Sequence, residues 1–223
     1  MQDRVHNQDT FLEERLARYD KWYREGKVPF SSKVIPVRES IAGKQWVVPT
    51  EQVIEFLRNA RSFAVTHCIC RSHYKRCDNP TEVCFLINDA ADAEVVQGAA
   101  RRLSLEEAER LLHHADERGL VHLTIYNPHQ YVYAICSCCS CCCHDLQFLQ
   151  KHDRTDLVVR SEYVAQTDMD ACIHCGDCVE RCVFGARVWE DNQMRYDVDA
   201  CYGCGLCVTA CPAEATLMER RSL

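Results

Sequence analysis

The chain has 223 residues, of which 47% are hydrophobic, so it can bury a real core as one large domain or two modest ones. Its 33 acidic and 26 basic side chains leave a net charge of −7, which argues against a general nucleic-acid binder. Eighteen cysteines, about 8% of the chain, are a density usual in secreted disulfide scaffolds. The opening Met1-Gln-Asp-Arg-Val-His shows no apolar leader, however, and no run approaches the roughly 18 apolar residues of a membrane span. The expected location is therefore the cytoplasm, where thiols stay reduced.

Taken in chain order, residues 8–25 show helical spacing of Phe11, Leu12, Leu16, Tyr19 and Trp22 and end at Gly26. Residues 27–49 contain Pro29, Pro36 and Pro49 and read as extended. Thr50 is expected to cap a helix over Glu51–Ala60, and Phe63–Thr66 reads as a strand leading into the first cysteines. A helix is expected from Pro80 to Gly98. Ser104 and Glu107 form a capping-box pattern ahead of a helix burying Leu105, Ala108, Leu111, Leu112 and Ala115 and stopping at Gly119. On it, His113 and His114 are expected at the surface or the core edge. Two short apolar runs, Leu120–Tyr126 and Tyr131–Ile135, flank an Asn127-Pro128 turn. This helix-then-hairpin order resembles a winged helix in pattern, with an ordinary α+β support for the cysteine loops as the plainer expectation.

A boundary near 155–162, by the charged stretch that starts at Lys151, divides the chain into a cysteine-rich domain, 1–160, and a C-terminal domain, 161–223. The fold class expected is α+β. The first domain would mix helices with short strands, and the second would combine a β-hairpin with short helices. From Tyr163 onward there are ten acidic and five basic side chains, so most of the negative charge lies in the second.

One internal repeat stands out. Cys172-Ile-His-Cys-Gly-Asp-Cys-Val-Glu-Arg-Cys182 recurs as Cys201-Tyr-Gly-Cys-Gly-Leu-Cys-Val-Thr-Ala-Cys211. A Cys-x-x-Cys-x-x-Cys loop wraps three thiolates around one compact cluster. Once the chain turns helical, the fourth cysteine points away and reaches the neighbouring one. One 4Fe–4S cluster would then take Cys172, Cys175, Cys178 and Cys211, and the other Cys201, Cys204, Cys207 and Cys182. Gly176, Gly203 and Gly205 suit loops that approach a cluster closely or adopt positive φ. With Pro212 after Cys211, residues 163–220 resemble the bacterial two-cluster ferredoxins. Val183 departs from that pattern, which has proline after the fourth cysteine, but removes no ligand. Zinc is the alternative for Cys-x-x-Cys pairs, although zinc ribbons use two pairs per metal rather than tandem four-cysteine runs. His174 is expected to face solvent, and Trp189 and Tyr196, on a hairpin between the halves, to belong to the core.

Ten more cysteines lie upstream: Cys68, Cys70, Cys77 and Cys84, then Cys136, Cys138, Cys139, Cys141, Cys142 and Cys143. Neighbouring side chains diverge, so the second run must feed at least two metal sites or one unusually large one. One or two further iron–sulfur clusters bridging the two segments are expected, with zinc or copper(I) as the alternative for soft thiolates. Some of these thiols could instead be free and redox-active. His67, His73 and His144 are candidate substitute ligands, and Arg71, Lys75 and Arg76 candidate charge partners. Over residues 45–220 the chain resembles a group of 4Fe–4S proteins of anaerobic bacteria, in which such a domain precedes a two-cluster ferredoxin. That resemblance implies electron transfer in anaerobic metabolism.

The expected function is that of an electron carrier serving redox partner proteins, a flavoprotein or reductase complex among the candidates. The alternatives are a reductase subunit with a substrate-binding N-terminal cluster and a cluster-based redox sensor. No radical Cys-x-x-x-Cys-x-x-Cys loop, P-loop or Gly-x-Gly-x-x-Gly is present, so nucleotide, flavin or radical chemistry would have to come from a partner.

Overall fold

A computed structural model describes residues 9–35, 49–130 and 132–221. The expected extended stretch at 36–48 lies outside them. The chain opens with α1 (Thr10–Arg24), started by Asp9, whose carboxylate accepts from the Leu12 amide, and ended ahead of Gly26 at φ +65°. Then come β1 (Ser32–Ile35), α2 (Pro49–Asn59), β2 (Phe63–His67), α3 (Ile69–Tyr74) and β3 (Glu82–Ile87). They are followed by α4 (Asn88–Val96), β4 (Ala100–Arg102), α5 (Leu105–Glu117), β5 (Val121–Tyr126), β6 (Val132–Cys138), α6 (His144–His152) and β7 (Val158–Val159).

The seven strands form one sheet in the order β4-β2-β3-β6-β5-β1-β7, antiparallel except for the β1/β7 pair. Its central strands are covered on both faces, which explains their nearly continuous apolar runs. Phe85, Ile87, Val65 and Ile135 face α2 and α5, packing on Leu57, Ala108 and Leu112. The alternate residues, Ala64, Leu86, Ala134 and Leu123, face α1 and α6, where Leu12, Tyr19, Leu146 and Phe148 close the second layer.

Three expectations change here. The helix expected over 80–98 is a strand as far as Ile87, because Val83–Ile87 is an apolar run buried on both faces between β2 and β6. The turn into α4 is made by Asn88 at φ +53°. The helix expected from Glu51 already begins at Pro49, a residue whose fixed φ suits a first helical position. The winged-helix likeness fails, since β5 and β6 are interior strands of the large sheet rather than a projecting hairpin. Ser104 does cap α5 through the Glu107 amide, while the Glu107 side chain pairs with Arg101. His113 and His114 are exposed on α5.

From Tyr163 the chain builds two small antiparallel pairs. β8 (Tyr163–Thr167) pairs with β11 (Thr216–Arg220), and β9 (Arg187–Glu190) with β10 (Gln193–Tyr196). Two short helices, α7 (Asp177–Arg181) and α8 (Leu206–Thr209), lie between them. The unit is docked on the large sheet. Arg181 donates to the Asp116 and Glu117 carbonyls at the end of α5, and Gln150 of α6 donates to the Val183 carbonyl. Tyr202, Cys204 and Leu206 join the same buried cluster as Leu146 and Phe148.

Because Phe85 is 0% exposed in a central strand, Phe85→Ala should cost about 3–5 kcal/mol, read as a lowered guanidinium midpoint.

Candidate metal centres

The C-terminal repeat folds the same way twice. In each loop the third residue has a left-handed backbone, His174 at φ +50° and Gly203 at +72°. So does the fifth, Gly176 at +89° and Gly205 at +81°, which starts the short helix. The two third positions are not equivalent. A Cβ on Gly203 would lie 2.0 Å from the Tyr163 carbonyl oxygen, so only glycine fits there. His174 has room, and its Nδ1 accepts from the Met194 amide at 3.2 Å, tying the first loop to β10 instead of facing solvent.

Each loop walls a cavity, and the fourth cysteine of each repeat is found with the other loop. Cys172, Cys175, Cys178 and Cys211 line one cavity, together with His174 and Met194. Cys201, Cys204, Cys207 and Cys182 line the other, together with Phe184, Tyr196 and Tyr202. Four thiols around a small apolar space are a donor set that suits an iron–sulfur cluster. The Gly203 amide already donates to the Cys201 sulfur at 3.3 Å. Burial raises the thiol pKa values of Cys178, Cys204 and Cys207, so a ligand that takes thiolates must supply compensating positive charge.

Residues 171–215 match the 4Fe-4S dicluster domain. No curated protein matches the chain. All eight cysteines of the repeat fall inside the matched segment, and this domain supports an iron–sulfur electron-transfer role. No helix among the described residues is long and apolar enough to cross a membrane.

One residue at this site was not singled out from the sequence. Arg187, only 3% exposed, lies between the two thiol quartets. It donates to the Cys178 sulfur of one at 3.7 Å, lines the cavity of the other, and sits over the Tyr196 ring at 4.3 Å. Burial opposes its charge, yet the thiols of Cys207 and Cys178 hold its pKa up. A periodicity reading sees only an arginine at the start of a hairpin strand. Trp189 is 48% exposed and packs over Gly176, against the expectation of a core residue. Tyr196 is half-buried, and its hydroxyl donates to the Ala165 carbonyl.

The ten upstream cysteines divide into two groups. Six form a closed ring at one end of the large sheet, in the order Cys68, Cys70, Cys143, Cys138, Cys136, Cys84, each thiol interacting with its two neighbours. The sheet explains the grouping. Cys84 and Cys136 are directly paired across β3 and β6. Cys136 and Cys138 fall on one face by the two-residue period, while Ser137 points the other way to His122. Cys68 and Cys70 enter from the end of β2, and Cys143 from the start of α6.

Around the ring the acidities alternate. Interactions with their neighbours in the ring lower Cys68, Cys136 and Cys143. The same neighbours, together with burial, raise Cys70, Cys84 and Cys138. The six thiols border a cavity of about 120 Å³, shared with Arg15 and Tyr19 of α1 and with His67, Tyr133, His144 and Asp145. His144 Nδ1 is 3.3 Å from the Cys70 sulfur. His144 Nε2 and Asp145 Oδ1 are buried without a hydrogen-bond partner among the described residues. Burial and the Cys143 charge push the Asp145 carboxyl up to about 7. Of the other candidate ligands, His73 stacks on Phe11 and His67 bonds Thr81.

The remaining four, Cys77, Cys139, Cys141 and Cys142, gather separately. Arg71 stands between the groups, 2% exposed, donating to the Pro80 and Ser137 carbonyls and interacting with Cys68, Cys138 and Cys139. Arg76 donates to the Cys141 carbonyl.

Two predictions follow from the repeat. Gly203→Ala should drive the second loop off Tyr163 and remove about four irons per chain, whereas His174→Gly should keep the full count, as read by iron and sulfide analysis. Arg187→Met removes a buried cation that favours the reduced, more negative clusters. Their potentials should fall by roughly tens of millivolts in an EPR redox titration, 59 mV being tenfold for one electron.

Proposed function

We propose that this chain is an iron–sulfur electron-transfer protein passing single electrons between redox partners. In this reading Cys172, Cys175, Cys178 and Cys211 hold one 4Fe–4S cluster and Cys201, Cys204, Cys207 and Cys182 a second. The six-thiol ring holds one further iron–sulfur cluster. The observation that carries the reading is the exchange of fourth cysteines, which gives each cavity in the matched domain four thiols. Bound there, such clusters supply one-electron exchange with little reorganisation, since several irons share the charge.

The chain's own residues give the arrangement a direction. Cys175 is exposed, and Ile173 of the same loop and Trp189 beside it are exposed apolar side chains. This face suits a docking partner, with the acidic surface of the domain guiding approach to a basic patch. A flavoprotein or reductase complex is a suitable class of partner, and anaerobic metabolism the setting that the resemblance implies. The second quartet is turned inward, with Cys204, Tyr202 and Leu206 in the same buried cluster as Cys138 and Cys143 of the ring. Packed protein, not solvent, therefore lies between the inner quartet and the ring.

A second reading, a reductase with its substrate at the N-terminal cluster, is favoured by one observation. The ring cavity carries groups that can hold protons, Asp145, His144 and Tyr19, beside more thiols than a four-iron cluster needs. The sensor reading loses its DNA-binding element with the winged helix.

Cys182→Ser tests the ligand exchange. The variant should lose the EPR signal of the cluster held by Cys201, Cys204 and Cys207 while keeping the one held by Cys172, Cys175 and Cys178. Retention of both signals would count against the assignment.

A further inference from the structure

The quartet left outside the ring differs from every other thiol group in the chain. The sulfurs of Cys77, Cys139, Cys141 and Cys142 all lie within 4.8 Å of one another. Two of the separations, Cys77–Cys139 and Cys141–Cys142, are 3.7 Å. That is far beyond a disulfide bond, about 2.05 Å, so the four are not paired oxidatively.

Geometry separates the two kinds of four-thiolate centre. A single tetrahedral ion with metal–sulfur bonds near 2.3 Å sets its four sulfurs about 3.8 Å apart. A cubane places a body of four irons and four sulfides between its thiolates and holds them at its outer corners, well beyond that spacing. The same chain offers the comparison. The two quartets of the C-terminal repeat surround cavities, and among the described residues no three of their thiols are gathered as closely as these four.

The local chain is built to converge here. The Cys142 and Cys143 amides both donate to the Cys139 carbonyl, a turn that brings three thiols of one short run to a common point. The turn also lets the adjacent Cys141 and Cys142 face the same centre, although Cys138 and Cys143, immediately outside it, face the ring. The fourth thiol comes from the loop after α3, where the Asn79 amide group donates to the Cys77 sulfur at 3.6 Å. Val83 of β3, Ala115 of α5 and Leu120 pack against the site, and Cys139 and Cys142 are buried. Hydrogen-bond donors aimed at the ligand or its backbone, with Arg71 beside Cys139, are the usual surroundings of a bound thiolate.

We propose that Cys77, Cys139, Cys141 and Cys142 hold one zinc ion in a closed tetrahedral site that clamps the 75–81 loop to the 139–142 turn. Four protein sulfurs leave no open position, so the ion is structural rather than catalytic. At such a site zinc binds more strongly than ferrous iron. The clamp has a consequence for its neighbour, because Cys138 and Cys143 flank the turn directly. The ion therefore sets the separation of two ring thiols, and the site does not depend on the electron-transfer reading.

The test is metal analysis of the full-length chain produced with both iron and zinc and purified without oxygen, with zinc K-edge X-ray absorption. One zinc per chain with four sulfur neighbours is expected. The Cys139→Ser, Cys141→Ser double variant should lose the zinc and keep the EPR signals of the C-terminal clusters. A zinc-free wild-type protein overturns the proposal, as does a double variant that loses iron instead of zinc. The wild-type spectrum decides even if the variant fails to fold. Zinc and iron are read at separate edges, so failure here is distinct from failure of the cluster assignments.

Discussion

Gathering thiolates inside a protein is electrostatically unfavourable, because each is a buried negative charge beside others of the same sign. The structure answers with one buried arginine at each junction between thiol groups. Arg71 stands between the ring and the neighbouring quartet, and Arg187 between the two quartets of the C-terminal repeat. Both are almost fully buried and both donate to fixed protein acceptors, the Pro80 and Ser137 carbonyls for the terminal nitrogens of Arg71 and the Thr167 hydroxyl for Arg187, while Arg71 Nε is buried without a partner among the described residues. A lysine could supply the charge but not a planar fork that reaches two groups at once. The surrounding fold can be understood as the frame that keeps each guanidinium between its two centres.

That frame uses two different devices to set thiol spacing. In the C-terminal repeat the spacing comes from backbone conformation, left-handed residues at the third and fifth loop positions that fold the chain around a small space. In the N-terminal half it comes from the sheet. The β3/β6 register places Cys84 opposite Cys136, and the strand period carries Cys138 to the same face. The sheet ends at Cys138, and the turn that follows sends Cys139, Cys141 and Cys142 to a second centre. Six cysteines in eight residues thus fall into two separate thiol groups without crowding, because strand and turn geometry aim them differently.

Much of this was legible in the chain. The repeat from Cys172 to Cys211 announces itself by spacing alone, and the exchange of Cys182 and Cys211 follows from the direction of a short helix. The divergence of neighbouring side chains also implies that the run at 136–143 feeds more than one site. The partition itself was not readable, since it depends on which strand lies beside β6. That neighbour is β3, in a segment whose apolar run resembles a helix as easily as a two-sided strand. Missing the strand meant missing the large sheet, and with it the ring. The two arginines were hidden for a related reason. Arg71 was one of three basic residues beside a cysteine loop, and nothing local separates it from Lys75, which is exposed. Arg187 looks like any polar hairpin residue until β9 is packed against the cysteine loops.

Burial also orders the centres relative to solvent. The first quartet, with exposed Cys175, sits at the rim, while the second is enclosed by Phe184 stacked on Tyr202 and by the residues of the large sheet's core. The ring lies deeper in the sense that α1 covers it, with Phe11 against His144 and with Arg15 and Tyr19 on the cavity wall. The exposed first quartet and the two more enclosed thiol groups therefore differ in their access to solvent. Enclosed surroundings disfavour negative charge, so thiolates gathered inside the fold need their own compensation. Arg187 supplies it at the junction of the two C-terminal quartets and Arg71 beside the ring, each a guanidinium buried among the thiols it faces.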